Sequence, residues 1–107
     1  MKKILWLSRH QMTEEQIGSL KEKYGEVEVV QHDEQVNSAS EILPLINEVD
    51  ILAVVLPIDM VGNLLKLTDK PIIYAKNGRE FTADGKVAFS FNGWHQYLKV
   101  DIETKPL

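Results

Sequence analysis

The chain has 107 residues, no cysteine and a formal charge of −4 at pH 7. That length is a single domain, 1–107, with room for one core, and the missing cysteines exclude disulfides, thiolate metal sites and cysteine nucleophiles. The acidic balance argues against a dedicated duplex-DNA binder, which needs a basic excess against phosphates, and leaves room for a small anion held by a few local cations.

The opening "MKKILWLS" imitates a secretory leader, with two lysines ahead of an apolar run. The run is too short for a leader's apolar core, because Ser8, Arg9 and His10 interrupt it. No stretch approaches the roughly 18 apolar residues of a membrane span, so the expectation is a cytoplasmic protein with no membrane partner. "KILWL" over 3–7 reads instead as a strand buried on both faces. A helix follows, and its start is written twice: Thr13 with Gln16 fits a capping box, and Met12 with Ile17 a hydrophobic staple. Ile17, Leu20 and Tyr24 continue at helical spacing to a stop at Gly25. Residues 8–12 are therefore the loop between strand and helix.

"EVEVVQ" over 26–31 is a second strand, and "NSASEILPLINEV" over 37–49 can hold a second helix with Ile42, Leu45, Ile46 and Val49 on one face. Pro44 is tolerable there only near the first turn. "DILAVVL" over 50–56 is a third strand, Asp59 can cap a third helix carrying Val61, Leu64, Leu65 and Leu67, and "KPIIYA" over 70–75 is a fourth strand. Then the pattern changes. Asn77-Gly78, Asp84-Gly85 and Asn92-Gly93 are three hairpin-type signals. The run 94–103 alternates, with Trp94, Leu98, Val100 and Ile102 on one side and His95, Tyr97, Lys99 and Asp101 on the other. The expected fold is α/β: a single Rossmann-like domain with a mainly parallel sheet, βαβαβαβ, followed by a C-terminal β-meander.

Ligands of such sheets bind beyond the carboxyl ends of the strands. Those ends are Ser8-Arg9-His10, the stretch 56–59, and Lys76-Asn77-Gly78-Arg79. Arginine offers a planar fork that matches phosphate oxygens, and histidine can give or take a proton. Against an anion stand Glu14 and Glu15 in the first turn of the helix. No glycine-rich phosphate loop accompanies them, so side chains rather than a backbone nest would hold a phosphate. Lys76, Asn77 and Arg79 are a second cationic cluster, which also reads as an Asn-Gly turn with charged shoulders that keep an edge soluble. His95 beside Trp94 reads as core or interface before it reads as a site, and His32-Asp33-Glu34 as a turn rather than a metal site. No cofactor or metal is expected.

Two resemblances meet at the first loop. "SRHQMTEE" resembles the histidine-phosphatase signature at Arg9, His10 and Thr13, but Gln11 replaces its glycine, and that family needs a far larger domain. The stretch 8–16 also resembles small CRISPR-associated ring nucleases, which open with an apolar strand, a Ser-His pair and a helix beginning Leu-Thr-x-x-Gln. His10, Met12, Thr13 and Gln16 match, with Met12 for leucine and Arg9 separating Ser8 from His10. That resemblance implies a Rossmann-like homodimer of antiviral defence that binds a cyclic oligoadenylate across its two-fold axis. It implies metal-independent cleavage, with the ribose 2′-hydroxyl attacking the adjacent phosphate. Arg9 and His10 would be catalytic, and Ser8, Lys76, Asn77 and Arg79 would bind ligand. A non-enzymatic nucleotide-binding or interaction module of a mobile element or defence system is the other reading.

Overall fold

A computed structural model describes residues 1–81 and 83–99, giving the backbone alone for 77–81 and 87–89. Its centre is β1, Lys2–Leu7, whose last four residues are buried on both faces. Ile4 and Trp6 point to one side, where α1, Glu14–Tyr24, packs with Leu20 and Met12. Leu5 and Leu7 point to the other, into a core of Ile42, Ile46, Val61 and Leu64. A strand with no polar face must be covered twice, and this one is.

The described residues form one mixed α/β sheet of five strands in the order β2-β1-β3-β4-β5. Strands β2 (Val27–His32) and β3 (Ile51–Val54) pair parallel with β1, β4 (Ile72–Phe81) pairs parallel with β3, and β5 (Val87–Gln96) runs antiparallel to β4. The helix after β1 covers one face. The segments before and after β3 cover the other: a 3₁₀ turn at Ala39–Ile42 joined to α2, Leu43–Ile46, and then α3, Ile58–Leu67. Consecutive crossovers thus leave β1 and β3 toward opposite faces.

Helix α1 begins as its local sequence demands. Thr13 accepts the Gln16 N–H at 3.1 Å, and the Gln16 side chain accepts the Thr13 N–H at 3.0 Å. The second helix is shorter than expected over 37–49. Pro44 cannot donate to a preceding turn and would crowd the carbonyl four residues back, so the α-helix starts at Leu43, with proline in its first turn. Asp59 is not a cap: Pro57 holds the N-cap position of α3, and Asp59 lies within the first turn. Leu67 leaves the apolar face and is 45 % exposed.

Among the described residues, one long hairpin stands where a C-terminal meander is expected. Asn77-Gly78 lies inside β4, and Asn92-Gly93 inside β5. The register passes from Ala75 opposite Trp94 to Asn77 opposite Phe91, so Asn92 and Gly93 together oppose Lys76 alone. That is a β-bulge, and Gly93 takes it at φ 99°, a backbone conformation that favours glycine. Of the three signals only Asp84-Gly85 makes a turn, with Gly85 at φ 81° and the Asp84 carboxylate accepting the Lys86 N–H. The strand expected over 94–103 ends at Gln96, and its stretch from 100 lies outside the described residues.

Candidate functional site

Because the chain leaves β1 for β2 and later places β3 on the other side of β1, the loops after these two strands diverge and open a crevice at their carboxyl ends. Its floor is tied across the sheet by the Val55 N–H donating to the Leu7 carbonyl at 3.2 Å. Two clefts meet on the ridge formed by Ser8, His10, Val55 and Leu56. One, of about 370 Å³, is completed by Arg9, His32, Glu34, Gln35, Val36, Pro57 and Met60 among others. The other, of about 450 Å³, reaches across Trp6, Val54 and Ala75 to Tyr74 and Tyr97, with Gln11, Thr13 and Gln16 at its rim.

The loop between them is held by its backbone. The Trp6 indole donates to the His10 carbonyl at 2.7 Å, and the Gln31 amide donates to the carbonyls of Ser8 at 3.0 Å and His10 at 3.1 Å. The His10 N–H donates to Ser8 Oγ at 3.1 Å, a local hydroxyl turn that explains why this serine is buried. Arg9 and His10 are exposed. Neither side chain has a hydrogen-bond or ion-pair partner among the described residues. The backbone of the loop is thus fixed while the Arg9 and His10 side chains are exposed to solvent.

The edge is of mixed charge. Glu14 and Glu15 lie in the first turn of α1, whose N-terminal N–H groups are already met by the capping box. The first turn of α3 has no side-chain cap, and Pro57 and Met60 from it line the smaller cleft. The amide ends there add positive potential, partly offset by Asp59. Arg9 is the one Lys or Arg among the residues lining either cleft, and Glu34 is the one carboxylate.

Of the site residues expected from sequence, Ser8, Arg9 and His10 share the crevice. Lys76 is exposed and lines neither cleft. Register carries Asn77 and Arg79 along β4 away from Ala75, the cleft-lining residue of that strand; their side chains lie outside the described residues. His32 belongs to the smaller cleft rather than to a bland turn. His95 stacks against Tyr74 at 5.7 Å between ring centres, on the opposite face of β5 from Trp94. Trp94 is structural: its ring meets Trp6 edge-on at 5.9 Å, and its indole N–H donates to the Gln16 carbonyl at 3.0 Å, docking β5 on α1. Gln31, Tyr74 and Tyr97 carried no local signal; parity along the hairpin would have put Tyr74, His95 and Tyr97 on one face once its register was known.

No family model, curated protein or solved structure matches the chain. Among the described residues no helix is long and apolar enough to cross a membrane.

Proposed function

We propose that this chain binds a phosphate-bearing nucleotide at the carboxyl edge of a Rossmann-like sheet, and that the ligand is a cyclic oligoadenylate which the Ser8-Arg9-His10 loop cleaves without a metal ion. The observation that carries the reading is the loop itself: its carbonyls are bound by Trp6 and Gln31 while Arg9 and His10 stand unengaged at the crevice. In the reaction the ribose 2′-oxygen bonds to the neighbouring phosphorus and the bond to the 5′-oxygen breaks. The products are a 2′,3′-cyclic phosphate and a 5′-hydroxyl. One group must take the 2′-hydroxyl proton and another must protonate the leaving oxygen. His10 and His32 line the same cleft and supply two imidazoles for those roles. Arg9 stabilises the charge gathering on the phosphorane, and the fixed loop contributes by positioning. Glu34 in the same cleft repels an anion, so Arg9 is the group there that can hold the phosphate.

The test is incubation of the purified chain with cyclic tetra- and hexa-adenylate in excess chelator, followed by chromatography and mass spectrometry. Linear oligoadenylates ending in a 2′,3′-cyclic phosphate are expected. Ligand recovered intact but bound moves the protein to the non-enzymatic nucleotide-binding module. No binding of either ring removes both readings.

A further inference from the structure

We infer that the larger cleft is a nucleobase subsite with Tyr97 and Tyr74 as its stacking wall. The inference rests on the nucleotide reading of the adjoining loop and adds where the base lies. The antiparallel register puts Tyr74 opposite His95. Tyr97, two residues beyond His95 on the same face, brings its ring to 4.5 Å from that of Tyr74 at 36°. The Tyr97 N–H is tied to the Ile72 carbonyl at 2.8 Å, so its backbone is fixed even though β5 has ended. Three rings thus form a stepped stack, and its Tyr74 and Tyr97 members line the cleft.

The chemistry of the walls selects the occupant. Val54, Val55 and Ala75 line the same cleft as the rings and add apolar surface to it, which favours a flat, poorly hydrated group. At the rim Gln11 is exposed and has no side-chain hydrogen bond among the described residues, so its amide can both donate to and accept from the edge of a base. Burial raises the Tyr97 hydroxyl above its ordinary pKa of 10.0, and Tyr74 adds to the effect, so the phenol stays a neutral donor. Both clefts share Ser8 and His10. A ligand filling them joins a flat apolar part to an anion across that ridge, as a nucleotide does and an inorganic phosphate or a fatty acid does not.

The test is calorimetric titration of the full chain with three probes: adenosine 5′-monophosphate, adenosine and ribose 5-phosphate. The nucleotide should bind more tightly than either part. Tyr97→Leu should weaken the nucleotide and adenosine by about five- to a hundredfold and leave ribose 5-phosphate unchanged. Tyr97→Phe, which keeps the ring, should retain most of the affinity. Arg9→Ala should do the reverse, weakening the nucleotide and ribose 5-phosphate but not adenosine. Tyr74→Leu repeats the test from the second ring should Tyr97→Leu fail to fold. A nucleotide that binds no more tightly than ribose 5-phosphate, or that ignores both leucine variants, overturns the subsite while sparing the phosphate reading. Tyrosine-dependent adenosine binding without ribose 5-phosphate binding upholds the subsite and sinks the phosphate reading. Three silent probes sink both.

Discussion

Arg9 owes its availability to its neighbours. Ser8 and His10 are tied on either side of it through carbonyls that accept from Gln31 and Trp6, so the guanidinium is presented without being used. Arg9→Ala should therefore leave the loop's path intact, shift stability by no more than about 0.5 kcal/mol, and remove a charge-assisted hydrogen bond of roughly 1.5–3 kcal/mol. The expected reading is a ten- to hundredfold loss of oligoadenylate affinity and cleavage, to order of magnitude. His10→Ala should lower kcat more than it raises KM, the mark of a group acting in the transition state. Variants that melt early while their folded fraction works normally would make the loop a structural joint. Arg9 and His10 were visible in the sequence because a strand end and a helix cap bracket them within a few residues. Gln31, His32, Tyr74 and Tyr97 were not, because they reach the crevice only through strand pairing.

At the scale of elements, the strand and helix starts that carry their own chemistry were legible, and those decided by distant partners were not. Helix α1 has both halves of its cap and its staple within six residues. Asn-Gly, by contrast, offers the same backbone freedom to a turn and to a bulge. At Asn92-Gly93 the pairing with β4 resumes beyond the bulge at Trp94, whose contacts with Trp6 and Gln16 dock β5 on α1. The strand entries are joined by another non-local device: the Asp50 carboxylate accepts the Lys3 N–H at 2.8 Å, and the Asp50 N–H donates to the Lys3 carbonyl at 2.8 Å. The first of these bonds lowers the Asp50 pKa below its ordinary 3.8, outweighing its slight desolvation, with Lys2 and Lys70 assisting. A depressed carboxylate contributes stability that is fully present above its unfolded pKa and is lost as pH falls through the folded one. Asp50→Asn, which imitates the protonated acid, should melt slightly below the wild type at neutral pH. The gap should close as the pH is taken below 3.8 toward the depressed value. A gap independent of pH would mean that the charge has no part in the tie. The effect is small, since Asp50 lies in water.

The molecule as a whole is flat, 49 × 44 × 24 Å, and carries a formal charge of −4. One copy has a single arginine among the residues lining its two clefts, which would be little for a ring bearing several phosphates. The same edge exposes apolar surface, with Val55 62 % and Ile58 50 % accessible beside the crevice. β3 ends at Val54, level with Tyr74, whereas β4 continues to Phe81, so the hairpin runs past the end of β3 by roughly 23 Å at about 3.3 Å per residue. A two-fold dimer with its carboxyl edges facing would answer all three features. It doubles Arg9 and His10 around a symmetric ring, covers Val55 and Ile58, and gives the projecting hairpins a partner to clasp. Light scattering at micromolar concentration should therefore give a mass of two chains, and native mass spectrometry one cyclic tetra-adenylate per two chains. Ile58→Asp should split the dimer and abolish ring binding together, because it would put a charge on the apolar surface that such a dimer covers. The same variant should still bind adenosine, since Ile58 lies outside the tyrosine-walled cleft. A chain that stays monomeric with ligand present and binds one ring per copy would overturn the two-fold arrangement, and the ring would then have to be held by the cations of one protomer alone.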